Sequence, residues 1–465
     1  MAESVPTGRD VYLIDGARTP FLKARGKPGP FSASDLAVQA GRALLARQPF
    51  EPTDLDEVIL GCCMPREDEA NIGRVAALRL GCGNAVPAYS VHRNCGSGLQ
   101  SLDGAMYHIK AGRSDLVLAG GAESMSHAPL VFNDAMVNWL ADWNRARSFT
   151  ERLKLLGRVR PGFIAPIIGL LKGLTDPIVG LNMGQTAEIL ADRFGISREA
   201  MDEFSVRSHH RLAKAQQEGW LDEVEPLFDG KGRHYDADDG VRPDSSMESL
   251  AKLKPAFDRR FGKVTAGNSA QITDGACWLI LASEDAVKRY DLPVMARLVD
   301  AHWAGLDPAQ MGLGPVYASA KLLKAHGMKA DDIDYWEINE AFATQVQACL
   351  AAWEDKDFCR GELGLDGAFG AIDPERYNVD GGAVSIGHPV GTSGARIVLH
   401  LVHVLKRKKA RRGVATMCIG GGQGGAALIE LMDGGGARRK TKKKAKKKKK
   451  VTTKSAETSK EAPNA

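Results

Sequence analysis

The sequence predicts an α/β protein built from two similar halves. Three observations carry that expectation. Apolar strand-like runs alternate with amphipathic helix-like runs along most of the chain. The same order of elements occurs near the start and again in the last third. Four glycine-rich polar segments follow predicted strands, where α/β proteins place their sites.

In the first half, Val11-Tyr12-Leu13-Ile14 reads as a strand. Ser34 is placed to cap a helix with Leu36, Ala40, Ala43 and Leu44 on one face. Val58-Ile59-Leu60 is a second strand. Ala88 to Val91 leads into Cys95, after which Leu99, Leu102, Met106 and Ile109 share a helical face. Leu116 to Ala119 is a strand ending in Gly120-Gly121. The last third repeats this order. Val294 to Val299 is a strand, Val316 to Lys324 a helix, and Ile333 to Ile338 a strand leading into Asn339. Asn378 to Ser385 precedes a glycine-rich turn and a helix with Ile397, Val398, Leu401 and Leu405. Val414 to Ile419 is a strand ending in a glycine cluster. Few residues are identical between the halves, so the repeat is one of order. The chain divides into a first half, 1–284, carrying an inserted helical loop domain at 126–263; a second half, 285–435; and a tail, 436–465.

The 465 residues are 44% hydrophobic and 26% charged, enough for a sizeable core. The opening MAESVPTGRD shows no secretory or transit signal, and no apolar run reaches the roughly 20 residues of a spanning helix. A cytoplasmic protein is expected. The eight cysteines include no CxxC pair, which removes the support for a zinc ribbon or a dithiol redox site; free thiols are expected. The net charge of +5 hides a split. Thirteen Lys/Arg and two Glu in residues 438–465 give the tail +11, so the rest of the chain carries −6. The run TKKKAKKKKK repels itself, has nothing to bury and is expected to be disordered. Between Met136 and Lys172, seven Lys/Arg and two acids interleave with Trp139, Trp143, Phe149, Ile167, Ile168 and other apolar residues. Two readings stand: an amphipathic element lying in an anionic membrane surface, or an insertion packed on its own domain or against a subunit.

The chemistry-bearing segments are HRNCGSG around Cys95, NEAF at Asn339, GHPVG at His388 and CIGGG at Cys418. Cys95 precedes a predicted helix, whose free N–H groups and dipole would favour a thiolate. Gly96 and Gly98 leave room for a substrate. His388, between glycines, is a candidate base for the thiol proton, and the backbone after Cys418 a candidate oxyanion site. A Cys–His pair with a second Cys and an Asn suits covalent acyl transfer with a separate acid/base. The bland alternative for each is structural: a Cys as a small core filler, a lone His as packing, Asn339-Glu340 as a cap for a helix starting at Ala341.

Together these segments resemble the thiolase family, the acetyl-CoA C-acyltransferases and acetyltransferases. The resemblance runs from Val11 to Met432. It rests on DGARTPF, NCGSGLQ, GGAESMS, MGQTAE, VTAGNSAQITDGA, NEAFA, NVDGGAVSIGHPVGTSGAR and CIGGGQG, in the family's order. It implies the thiolase fold: two βαβαβ halves packed as a five-layered αβαβα sandwich with an inserted loop domain. It implies coenzyme A as the acyl carrier, no metal or tightly bound cofactor, and a homodimer or tetramer. By position, Cys95 would be the acylated nucleophile, His388 its activator and Cys418 the acid/base at the acetyl-CoA α-carbon. His388 with a water held by Asn339 would form one oxyanion hole; the N–H groups of Cys95 and Gly420 would form the other. Met183 and Ser269 are the candidates on the coenzyme A side. The sequence departs from the usual pattern at His92, where many members have Asn; at Asn182, where many have His; and at Asn268-Ser269-Ala270, where NAS is common.

The insertion resembles that of long-chain 3-ketoacyl-CoA thiolases of trifunctional β-oxidation complexes. That implies fatty acyl degradation, a β-oxidation partner subunit, and peripheral contact with anionic membrane through 136–172 and the basic tail. The close rival is a biosynthetic enzyme joining two acetyl-CoA molecules. A 3-ketoacyl synthase would lack Cys418. Nucleic-acid binding through the tail would be non-specific, and no aromatic residue there supports base stacking.

Overall fold

Two sheets of matching strand order meet along their first strands. The computed structural model of the chain describes residues 8–432. The first sheet runs in the order Val11–Arg18, Thr273–Ser283, Leu116–Ser124, Glu57–Gly61, Ala88–Val91. The second runs Ala296–Gly305, Gln423–Glu430, Arg412–Ile419, Tyr335–Ile338. A single parallel bridge from Trp336 to Tyr377 stands where the first sheet has its fifth strand. In each sheet the first two junctions are antiparallel and the next is parallel. The sheets join through Tyr12–Arg297 and Leu13–Ala296.

The repeat extends to single residues. The register slips after Leu13 in one first strand and after Leu298 in the other, and an Asp follows each slip. Asp15 Oδ1 accepts from the N–H of Gly16, and Asp300 Oδ1 from that of Ala301. A bulge leaves an N–H without its ladder partner, and a short acceptor in the next position satisfies it.

Three apolar cores define five layers. Helices Ala33–Ala46 and Ile72–Arg79 cover the outer face of the first sheet. Helices Gly314–Ala325 and Ala343–Glu354 cover that of the second. Between the sheets lie Ser97–Lys110 and Ser393–Lys408, with Leu99, Leu102, Met106 and Ile109 packed in one core with Ile397, Val398, Leu401 and Leu405. The helices Met183–Arg193 and Arg198–Gln217 of the insertion pack into the core of the second half through Leu190, Met201 and Phe204.

The structure corrects several sequence expectations. Ser32, not Ser34, caps the first helix, in a capping box with Asp35. The strand at Leu116 does not stop at Gly120-Gly121 but runs to Ser124. A Cβ at Gly121 would lie 2.1 Å from the Gly391 carbonyl oxygen, so these glycines admit neighbouring backbone rather than a turn. Thr273–Ser283 is a central strand that the sequence reading leaves unassigned. All eleven of its residues are buried, so it lacks the alternation that marks a half-exposed strand. The Lys-rich tail 436–465 lies outside the described residues. Among those described, no helix is long and apolar enough to cross a membrane.

Candidate active site

The Cys95 segment leaves the edge strand Ala88–Val91 and turns at Asn94, which has a φ of 43°. Ser97 Oγ ties this turn, accepting from the Arg93 N–H at 2.8 Å and donating to the Asn94 carbonyl at 2.7 Å. Cys95 follows, half-buried, just before the helix Ser97–Lys110. A Cβ at Gly98 would lie 2.8 Å from the Gly391 carbonyl oxygen, so the helix start seats against the turn that carries His388. The Gly420 N–H faces the Cys95 sulfur. Burial pushes the Cys95 thiol up, and the Gly420 N–H and its own backbone N–H oppose that shift. The helix start therefore does not hold a resting thiolate, as the sequence suggested. Desolvation outweighs it, and the thiol needs a base.

His388 is buried after the short helix Ala383–Ile386, with its N–H donated to the Gln271 carbonyl at 3.0 Å. Its Nδ1 lies 2.6 Å from Ser393 Oγ, and that hydroxyl is placed to donate to the Pro389 carbonyl at 3.2 Å. Assigning the Ser393 proton to Pro389 makes Nδ1 the protonated nitrogen of His388 and leaves Nε2 as a bare lone pair. Burial, and then the Arg396 charge, push the imidazole down to about 4, so it is neutral near pH 7. This is a base ready to accept a proton.

Asn339 ends the strand Tyr335–Ile338, with Nδ2 3.5 Å from His388 Nε2. Its Oδ1 is buried without a protein partner, an acceptor suited to a water. The capping alternative fails: the helix begins at Ala343 with no side-chain cap. Glu340 instead accepts from Ser208 Oγ, Asn378 Nδ2 and the Val384 N–H. Cys418 is 1% exposed at the end of Arg412–Ile419. Burial raises its thiol well above the usual range, and the neighbouring Cys95 raises it further. Cys95, Cys418 and Gly420 are thus gathered at one point, and His388 and Asn339 form a pair of their own.

The coenzyme A candidates differ. The Met183 sulfur is 3.2 Å from where a Cβ on Gly420 would sit. Asn182 caps the Met183 helix in a capping box with Gln185, which accounts for an Asn at that position. Ser269 is 7% exposed and donates its hydroxyl to the Thr265 carbonyl at 2.7 Å. Its proton is committed to its own loop. The His92 side chain is exposed.

The sequence reading missed three residues of this region. Asn94 donates from Nδ2 to the Gly420 carbonyl at 2.8 Å. Ser393 orients His388. Glu123, fully buried, accepts from the N–H groups of Cys63, Met64 and Gly391 and so clamps two loops. Their proximity to Cys95 and His388 in sequence signalled Asn94 and Ser393. Glu123 lies within GGAESMS, but its contacts with Cys63 and Gly391 are distant along the chain.

The comparisons with known proteins place nearly the whole described chain in one family. The family model "Thiolase, N-terminal domain" matches residues 11–285, and "Thiolase, C-terminal domain" matches residues 292–431. The chain belongs to the thiolase family. It is 36% identical over 418 residues to "Trifunctional enzyme subunit beta, mitochondrial" of Bos taurus, covering 90% of this chain and 87% of that protein. It is 36% identical over 417 residues to "3-ketoacyl-CoA thiolase" of Yersinia pestis (strain Pestoides F), covering 89% and 95%. Among solved structures, the human mitochondrial 3-ketoacyl-CoA thiolase in complex with CoA superposes with a TM-score of 0.77 at 36% identity, covering 91% of this chain and 98% of that one. The acetyl-CoA acetyltransferase of Bacillus anthracis superposes with a TM-score of 0.78 at 35% identity, covering 92% and 100%. This thiolase is an acyltransferase with the thiolase fold. The names of its sequence relatives fit CoA-dependent thiolytic cleavage and do not favour the biosynthetic alternative.

Proposed function

We propose that this thiolase cleaves 3-ketoacyl-CoA with CoA, giving acetyl-CoA and a shortened acyl-CoA in fatty acid β-oxidation. The observation that carries the reading is the pairing of two thiols, half-buried Cys95 facing the Gly420 N–H and buried Cys418 beside it. His388 Nε2 takes the Cys95 proton, and the thiolate adds to the C3 carbonyl. The N–H groups of Cys95 and Gly420 hold the resulting oxyanion. Collapse forms the Cys95 thioester and breaks the C2–C3 bond. The electron pair leaves as the acetyl-CoA enolate, held by His388 and a water on Asn339, and Cys418 protonates it. The Cys418 thiolate then takes the proton of incoming CoA. The CoA thiolate attacks the acyl group, and Cys95 recovers its proton from His388. Both thiols end as they began. Coenzyme A enters as a substrate, with Met183 at its thiol end. The Ser269 contact is the weaker one, since that hydroxyl already serves Thr265.

The division into 1–284 with loop domain 126–263, and 285–435, is carried forward with this reading, as are a homodimer or tetramer, a β-oxidation partner subunit and a cytoplasmic, membrane-peripheral setting. The membrane contact has one specific support. In the helices Asp134–Arg145, Phe149–Leu156, Pro161–Ile164 and Gly169–Gly173, Leu155 is the one buried residue. Phe149, Leu153, Leu156, Ile164 and Leu171 are each more than half exposed, amid a net +5 over 136–172. Apolar side chains ringed by cations suit an anionic lipid surface. Trp139 and Trp143 do not form that face; they stack at 5.3 Å, and Trp139 Nε1 donates to the Leu155 carbonyl.

Steady-state thiolysis of 3-ketoacyl-CoA at several chain lengths tests the proposal. Turnover rising with chain length beyond acetoacetyl-CoA is expected. Activity on acetoacetyl-CoA alone would overturn the degradative reading.

A further inference from the structure

We infer that Asn94 is a positioning residue for the thiolase reaction: its side-chain amide sets the oxyanion-binding turn at Gly420 against the nucleophile Cys95. The inference rests on reading Gly420 as an oxyanion donor.

The turn after Cys418 is closed at its base by the Ile419–Gln423 pair of the hairpin, but its tip has no anchor of its own. It is Gly420-Gly421-Gly422, with φ of 89° at Gly421 and 74° at Gly422, and it carries no side chain to anchor it. Its far end is fixed, because Gly422 packs against Leu306 and Pro308 and its carbonyl accepts from the Leu306 N–H at 2.8 Å. The Gly420 carbonyl, beside the sulfur, is tied by Asn94. The Asn94 Nδ2–Gly420 carbonyl bond is 2.8 Å and spans 326 residues, so it links the nucleophile loop of one half to the oxyanion loop of the other. The acceptor is a carbonyl, so the Asn atom facing it must be the amide nitrogen.

The backbone of Asn94 points the same way. Four non-glycine residues among those described have a positive φ: Asn94, Asp291, Asn378 and Lys409. Asp291 and Lys409 end helices, where a left-handed residue closes the last turn. Asn378 bonds the Ile338 backbone and Glu340. Asn94 ends no helix. It sits directly before Cys95, and its carbonyl is held by Ser97 Oγ and by Cys63 Sγ at 3.0 Å. Left-handed backbone is unfavourable for most L-residues, and Asn is one of the few that tolerate it. A glycine would adopt it more easily but has no amide to give. Asn alone among the small residues combines this backbone with a neutral donor. Asn94 is exposed, so replacing it removes no core packing.

The test separates backbone from donor. Asn94→Gly keeps the left-handed turn and loses the amide. Asn94→Asp keeps the turn and puts an acceptor where the donor stood. Asn94→His tolerates the turn and retains an N–H. The wild type must first form the acyl-Cys95 thioester by mass spectrometry; failure at that step refutes the functional reading, not the role of Asn94 within it. Given a working wild type, quenched-flow acylation should slow by about 10- to 100-fold in Asn94→Gly and Asn94→Asp, the scale of a misaimed oxyanion donor. KM for the acyl-CoA should stay within about twofold, because the amide acts on the transition state and not on ground-state binding. Asn94→His should recover part of the rate. Thermal midpoints should match the wild type in Asn94→Gly; if that variant unfolds, Asn94→Asp makes the same comparison. Wild-type acylation in both donor-free variants, or a loss confined to KM, would overturn the assignment.

Discussion

The centre of the molecule and the first part of the inserted loop domain, residues 130–178, handle unfavourable groups in opposite ways. At the centre, ionisable side chains are buried and held by neighbours: Glu123 by three N–H groups, His388 by Ser393, Arg18 by Asp238 at 2.7 Å. In the insertion, apolar side chains are exposed with little to cover them; Phe149 is 80% exposed and Ile178 82%. A buried polar group without a partner costs free energy within the chain, so the fold itself must supply the partner. An exposed apolar group can wait for a surface from outside. The comparison teaches that the centre satisfies its buried charges from within the fold, whereas residues 130–178 leave apolar side chains uncovered.

The largest effects should fall at the centre. Cys95→Ala should abolish turnover and the acyl-enzyme together, read by mass spectrometry after incubation with acyl-CoA. Cys418→Ala should still acylate slowly at Cys95 and lose exchange of the acetyl-CoA α-proton. Acylation mainly at another cysteine, or normal exchange without Cys418, would break the assignment of roles.

Next in size are the buried charges. His400 lies between Glu223, at 2.8 Å, and Asp380, at 3.2 Å, all three almost fully buried. His400→Ala removes the cation shared by two carboxylates, leaving Glu223 to Arg18 and Asp380 to Arg407, and should cost about 2–3 kcal/mol in denaturant unfolding. Leu102→Ala, in the central layer, should cost about 2–5 kcal/mol through its cavity.

The pH dependence sharpens the contrast between two buried histidines. Burial lowers the His400 pKa, but Glu223 and Asp380 override it and raise His400 to about 10. Its stabilisation is full below about pH 6.5 and is lost as pH rises toward 10. His388 is pushed down to about 4, so its contribution is present above about pH 6.5 and is lost as pH falls toward 4. Unfolding free energies across pH 4 to 10 should show His400→Ala flattening the alkaline decline alone. A flattening of the acid side instead would refute the pairing.

The smallest effect on stability should come from the insertion. Changing Phe149, Leu153, Ile164 and Leu171 to Ser should shift unfolding by no more than about 0.5 kcal/mol per site, since no core is lost. Turnover of a short-chain substrate should be unchanged. Pelleting with anionic vesicles, measured on a chain ending at Gly436 to remove the +11 tail, should fall sharply. If that chain stays in the supernatant before any substitution, the insertion is a packing or subunit-contact element.

Much of the site was legible because its residues lie in short segments whose chemistry is local. A Cys before a helix, a His between glycines and a Cys before three glycines each announce themselves. What was not legible depends on distance along the chain. Glu123 meets Cys63 and Gly391 only after strand pairing. The direction of the Cys95 shift depends on burial by two halves at once, which no helix-start argument contains. Ser34 lost the cap to Ser32 because both residues suit the position and only the backbone entry angle decides between them.

By itself the sequence determined the alternation of strand and helix, the repeated order and the segments proposed to carry the reactive groups, since periodicity and side-chain chemistry are properties of neighbours in the chain. Tertiary structure alone decided which N–H meets the Cys95 sulfur, which nitrogen of His388 is bare, and which apolar residues of the insertion face outward. Those depend on contacts between residues tens to hundreds of positions apart, and on how much water the packed sheets leave around each group.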